Sequence, residues 1–425
     1  MSTQDSHNIN TLQQVYLVGG AVRDQLLGMP SFDKDYVVVG ETPARMKALG
    51  FIPVGKDFPV FLHPITKAEY ALARTEKKTS GGYTGFSVDA SKAVTLTQDL
   101  ARRDLTINAM ASDEHGNIID PYNGQADINN KILRHTTAAF IEDPVRVLRV
   151  ARFLARFGPQ WQIHPSTIAL FKRMHEKGEL SHLVAERVWK ETEKALQEPY
   201  PHLYFETLMG LDIFPELEAM QNVRPLTECG SESDVFTHTM LSIKQAANLQ
   251  FDLPTRFAVL TLNFGKPSVF QQQQHFLGHE QAGKVVIEVF CQRLRVPNKI
   301  KELALLSCEY HLWVTRLIDL KPDAIYTLMV ENLNAVKQPL RFMQFINACE
   351  CNAQEQGELD ASAECSGTVY AKYLLNGIIK VNTKAAVIKA QQEGLSGIAV
   401  GQAVRKAQLM CIKQLVTHYH SHASS

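Results

Sequence analysis

Residues 16–40, YLVGGAVRDQLLGMPSFDKDYVVVG, constrain the fold of this chain more than any other stretch. VYLV is a run of β-branched and aromatic residues stopped by Gly19 and Gly20, the pattern of a short buried strand. AVRDQLLG has helical character and closes on Gly28, a residue suited to the position just past a helix end. DKDYVVVG then reads as a strand buried on both faces beyond its first turn. Strand, glycine turn, short helix and strand in such close order predict an α+β layer built around a mixed sheet.

The same stretch carries chemistry. Between a strand and a helix start, backbone N–H groups face outward. At Gly19 and Gly20 no Cβ keeps a phosphate away. Side chains alternate along a strand, so Asp33 and Asp35 share one face. Two neighbouring carboxylates repel unless a cation lies between them, and Mg²⁺ prefers oxygen ligands. A glycine pair at a turn is usually only a turn, and Asp-x-Asp recurs by chance. Together, in this order, they predict a site that grips a triphosphate beside divalent metal, and so nucleotidyl transfer.

Residues 15 to about 138 mix strands and helices: ETPARMKALG as a helix, FPVFLHP and AEYALART as strands, DLARRDLTINAMASD as a helix. From about Ile141 onward the alternation gives way to amphipathic helical patterns that run to the end. The expected division is a head over 13–138, a helical neck over 139–222 and a helical body and tail over 223–425. No apolar run approaches the ~18 residues of a membrane-spanning helix. The seven cysteines are odd in number and lack paired CxxC spacing, so a disulfide framework and a structural zinc site are not expected and a reducing cytoplasm is. Lys plus Arg and Asp plus Glu balance at 44 each. That speaks against a general nucleic-acid coat protein, yet allows a local basic track.

Such a track occurs in EDPVRVLRVARFLARF. Arg146, Arg149, Arg152 and Arg156 fall within an arc of roughly 120° on a helix, with Val147, Val150, Leu154 and Phe157 opposite. An ordinary solvated basic face is the plain reading. Against it, the stripe is pure arginine with no interleaved glutamate, and arginine suits forked recognition of phosphate or a base edge. Glu142 and Asp143 open the helix, and an acid beside an arginine can present acceptor and donors to a nucleobase. ARRDLTINAMA adds Arg103, suited to a phosphate. It also adds Asp104, readable as a third carboxylate, a ribose partner or a salt bridge.

In this order LVGGAVRDQLLG, DKDYVVVG, RRDLTINAM, DPYNGQADINNKILRH, EDPVRVLRVARF and ERVWKE resemble the bacterial CCA-adding enzymes, the class II tRNA nucleotidyltransferases of the polymerase-β-like superfamily. The likeness is close over roughly 15–220 and thinner to about 310. It implies template-independent addition of C, C and A to the tRNA 3′ end from CTP and ATP, by two-metal nucleotidyl transfer. It also implies that Asp33 and Asp35 hold Mg²⁺, and that Gly20, Arg23 and Arg103 contact triphosphate and sugar. Asp143 and Arg146 would read the incoming base, with Arg149 and Arg152 adding base or phosphate contacts. The loop near Lys77 to Gly85 would match the family's flexible loop. Longer family members carry an HD-type phosphohydrolase domain with a His-Asp pair. Here Leu262 and Asn263 stand in those places while His238, His279 and His311 remain, so a helical remnant without that activity is expected. The alternatives are a poly(A) polymerase, an enzyme adding only CC or only A, and a non-catalytic RNA-binding protein with a fossil head.

Overall fold

The computed structural model describes residues 12–31, 33–54, 59–78, 86–224, 234–354 and 366–423. The chain forms two compact units: residues 1–195 with 207–213, and residues 196–206 with 214–425.

The first unit holds a seven-stranded sheet in the order β3-β4-β5-β2-β1-β8-β9. Its strands are β1 (Val15–Val18), β2 (Asp35–Val38), β3 (Ile52–Val54), β4 (Val60–Leu62), β5 (Glu69–Leu72), β8 (Ala111–Ser112) and β9 (Ile118–Ile119), with β6 (Thr75–Lys78) and β7 (Phe86–Asp89) as a separate antiparallel pair. Within this sheet, among the described residues, only β2 and β5 run parallel, with Asp35 opposite Glu69. β1 lies antiparallel to β2, pairing Val18 with Asp35, so the glycine turn and the acidic strand start meet at one end of the sheet. Both faces of β2 are buried, as its VVV run requires. Val37 packs with Val18, Leu100 and Ala111 on one side, and Val38 with Met46, Phe51 and Phe61 on the other. Helices α1 (Gly20–Leu26), α2 (Pro43–Ala48), α3 (Leu96–Ala101) and α4 (Gly124–Asn129) accompany the sheet.

Two local expectations are corrected. Asp33 does not lie on the strand, which begins at Asp35. The helix expected through residues 99–113 ends at Ala101, and Thr106–Asn108 forms one short 3₁₀ turn before β8. The cause is tertiary: Leu105 bridges to His135, and the Thr106 N–H donates to the Arg134 carbonyl. These backbone partners outcompete the helical ladder and turn Arg103 back toward the sheet. Residues 79–85, most of the loop singled out from sequence, lie outside the described residues.

Helices α5 (Val145–Phe157), α6 (Pro165–Glu176) and α7 (Ala185–Gln197) follow. The described residues of the second unit form helices joined by turns, with no strand among them. Its main helices are α8 (Val235–Asn248), α9 (Leu253–Thr261), α10 (Lys266–Gln273), α11 (His279–Leu294), α12 (Asn298–Thr315), α13 (Pro339–Gln354), α14 (Ser366–Ile378), α15 (Thr383–Gln392) and α16 (Ile398–Ala423). Cys349 and Cys351 are buried along α13, packing residues rather than a metal clip. No helix among the described residues is long and apolar enough to cross a membrane.

Candidate active site in the head

Gly19 shapes the site. Its φ of 71° and ψ of −128° lie where side-chain-bearing residues are strained, and a Cβ would stand 2.7 Å from Arg103 Nη1. Its N–H donates to the Met110 carbonyl at 3.2 Å, tying the turn to the segment that carries Arg103.

Asp33 and Asp35 are both exposed beside this turn. Enough protein surrounds the Asp35 carboxyl that partial burial raises its pKa; the Arg103 charge opposes the rise and the Asp33 charge adds to it. The Asp35 carboxyl therefore feels both Arg103 and Asp33. Exposed paired carboxylates that bear mutual repulsion are a fitting oxygen donor set for Mg²⁺, which commonly takes one or two carboxylates plus phosphate oxygens.

Arg103 is aimed by Asp99, which sequence reasoning missed. Asp99 is fully buried. Its Oδ2 accepts from Arg103 Nη2 at 3.3 Å; its Oδ1 accepts from Arg102 Nε and Nη2 at 3.0 and 2.7 Å and from the Arg74 N–H at 3.2 Å. Burial alone would raise the Asp99 carboxyl, but Arg102 and Arg103 beside it hold it below the usual carboxylate range. The spacing of three and four residues ahead of two arginines was the available signal. Arg103 Nε is buried with no partner among the described residues.

Arg23 stands elsewhere than at an open phosphate face. It is buried; Nε and Nη2 donate to Asp24 Oδ1 at 2.9 and 2.7 Å, and Nη1 donates to Asn108 Oδ1. Its guanidinium also lies 4.9 Å from the Phe153 ring centroid. Gly20 lies above it, a Cβ there meeting Arg23 Nη2 at 3.4 Å.

The arginine stripe of α5 is not a solvated face; its arginines are engaged by this protein's own groups. No residue of α5 is exposed, because each arginine is engaged from another element. Arg146 donates to the carbonyls of Ala139 and Arg102, both at 2.7 Å. Arg149 Nε donates to Asp104 Oδ2 at 2.7 Å, Arg152 Nε to Glu191 Oε2 at 2.6 Å, and Arg156 Nη2 to Asp24 Oδ2 at 3.2 Å. Asp104 is thus an ion-pair partner. Burial would raise its carboxyl, but Arg149 and the Asn108 amide hold it far below the usual range. Asp143 is clamped by Arg187, whose Nη1 and Nη2 reach Oδ1 and Oδ2 at 3.0 and 2.9 Å. Arg187 stood in the ERVWKE motif with no local sign of this pairing.

In the second unit His238, His279 and His311 are all buried, packing residues rather than surface ones. Asn352 Oδ1 accepts from Asn263 Nδ2 at 3.0 Å and lies 3.0 Å from His238 Nε2. His279 and His311 face each other through Nε2 at 3.2 Å. The Lys266 ammonium is buried nearby, its pKa lowered by burial to about 8. Among the described residues no group of three or more His, Cys, Asp or Glu could hold a metal ion.

A mixed sheet with paired acids beside a glycine turn and an arginine cradle is the head of a nucleotidyltransferase. Residues 15–134 match the poly A polymerase head domain, and 161–221 match the family described as the probable RNA and SrmB-binding site of polymerase A. A multifunctional CCA protein of Teredinibacter turnerae is 44% identical over 417 residues, covering 96% of this chain and 100% of that protein. One from Acinetobacter baumannii is 50% identical over 347 residues, 80% of this chain and 84% of its own. The Bacillus stearothermophilus CCA-adding enzyme in complex with CTP shares the fold, with a TM-score of 0.58 at 21% identity and full coverage of both chains. The chain belongs to the multifunctional CCA proteins, the family of the CCA-adding enzymes.

Proposed function

We propose that this protein adds C, C and A to the 3′ end of tRNA, taking CTP and ATP and releasing pyrophosphate. The observation that carries this is the exposed Asp33–Asp35 pair set beside Gly19 and Arg103, in a chain of which 96% aligns with a multifunctional CCA protein. In functional terms the chain divides into a head at 13–138, a base-reading neck at 139–222 and a body and tail at 223–425.

Asp33 and Asp35 would hold Mg²⁺, which when bound lowers the pKa of an attacking hydroxyl and neutralises phosphate charge. Arg103 meets the triphosphate, pre-aimed by Asp99, and supplies fixed positive charge without proton exchange. Gly20 lets the chain approach a phosphate closely. Arg23 has its guanidinium nitrogens committed to Asp24 and Asn108, so it supports the turn from beneath and adds long-range charge. Asp143 and Arg146 read the base. Arg149 extends the cradle, its two terminal nitrogens carrying no hydrogen bond among the described residues, and Arg152 braces it through Glu191.

The helical second unit has no HD-type phosphohydrolase activity in this reading. Leu262 and Asn263 stand where the His-Asp pair would be, and the Asn263 and Asn352 amides, hydrogen-bonded to each other at 3.0 Å, are neutral and bring no anionic ligand for a divalent cation. Robust metal-dependent hydrolysis of a 2′,3′-cyclic nucleotide by the purified protein would overturn that statement.

The function is tested on tRNA ending before CCA, with products sized at single-nucleotide resolution. CTP alone should add two residues, and CTP with ATP three. Long A tracts from ATP, with CTP ignored, would identify a poly(A) polymerase instead.

A further inference from the structure

Asp143 is held more tightly than a base reader needs for its own stability. Its Oδ1 accepts from the Val145 N–H at 3.1 Å and from Arg187 Nη1 at 3.0 Å. Its Oδ2 accepts from Arg187 Nη2 at 2.9 Å and from no other described group. A carboxylate offers about two acceptor positions on each oxygen. Oδ1 is therefore full, and Oδ2 keeps one position open. A bidentate guanidinium also lies coplanar with the carboxylate, so it fixes the plane in which that last lone pair points. Arg187 sits in the first turn of α7 and is itself partly exposed, as is Asp143, so the clamp lies where solvent and substrate can reach it.

Arg146, next to it, is committed in the same manner. Its Nη1 and Nη2 donate to two backbone carbonyls at 2.7 Å. Both halves of the reading pair are thus oriented by groups other than a nucleotide.

We propose that Arg187 is a positioning residue that sets base selectivity. By clamping both oxygens of Asp143 it leaves one acceptor position, on Oδ2, for the amino group that cytosine and adenine carry where uracil and guanine carry a carbonyl oxygen. An acceptor with one fixed direction rewards an N–H donor and repels a carbonyl oxygen. A carboxylate free to rotate would admit a water between itself and the wrong base, and would discriminate less. This rests on the base-reading role given to Asp143 above.

The test measures kcat/KM for CTP and for UTP on tRNA ending before CCA, in wild type, Arg187→Ala, Arg187→Lys and Asp143→Asn. Arg187→Ala should lower the CTP-to-UTP ratio by about tenfold or more. Arg187→Lys should fall between, since a point charge holds one oxygen and fixes no plane. Asp143→Asn should lower the ratio whatever Arg187 does, because an amide can turn an N–H toward uracil. If Asp143→Asn loses selectivity while Arg187→Ala and Arg187→Lys slow CTP and UTP equally, Arg187 is structural only; the proposal is overturned and the base-reading role stands. If none of the three variants changes the ratio, the base-reading role fails and the proposal with it. Should Arg187→Ala fold poorly, Arg187→Lys decides between these outcomes.

Discussion

In the proposed reaction single residues carry the chemistry, and their exposure decides how they can be tested. Asp33 and Asp35 are exposed, so Asp33→Ala or Asp35→Ala should reduce nucleotide incorporation to background while leaving the melting temperature almost unchanged. Incorporation at the wild-type rate by Asp33→Ala would remove that residue from the proposed metal site. Gly19 behaves in the opposite way. Gly19→Ala would force a Cβ into a strained backbone region and against Arg103, at a cost of about 1–3 kcal/mol, read as a lower denaturation midpoint together with lost activity. Gly19 and the acid pair were visible in the sequence as the glycine turn and the Asp-x-Asp. Asp99 was visible only as one acid ahead of two arginines, and its depth of burial comes from the packing around Leu100 and the end of α3.

At the level of elements, α5 is the instructive case. Its periodicity correctly placed four arginines on one stripe, and its composition correctly excluded ion pairs within the helix itself. The periodicity could not reveal that the stripe faces inward. The partners that draw it in, Asp104, Glu191 and Asp24, lie 45, 39 and 132 positions away along the chain. The buried Arg152–Glu191 pair should be sensitive to the loss of one member. Glu191→Ala leaves a buried guanidinium without its carboxylate and should cost about 3 kcal/mol, whereas the double replacement by leucine and methionine should recover much of that loss. Equal stability of the two variants in urea would contradict this account. The helix expected over residues 99–113 failed for the same class of reason: backbone partners at 134 and 135 ended it early.

At the scale of the whole molecule, buried histidines make stability depend on pH, and His202 in the second unit is one of them. Burial, helped by the Lys244 charge, lowers the His202 pKa to about 4. Unfolded, the same imidazole titrates near ~6.5. Between those values the unfolded chain binds a proton that the folded chain refuses, so stability rises with pH across that window and falls on acidification from about 6.5 toward 4. Thermal melts at stepped pH should show this slope, and His202→Gln should make it shallower, with His311, whose pKa burial lowers to about 3, supplying part of what remains. An unchanged slope in the variant would place the titration elsewhere.

The sequence by itself determined the order of elements, the strand pair around the glycine turn, the acid pair and the arginine stripe. Those depend on local pattern: β-branched runs, alternation and helical period act over a few residues. Tertiary structure alone decided that Asp99 lies buried, that Arg187 clamps Asp143, and that α5 turns its charges toward buried carboxylates. Charge pairing in a desolvated interior depends on distance in space, and residues far apart in sequence leave no local trace of it.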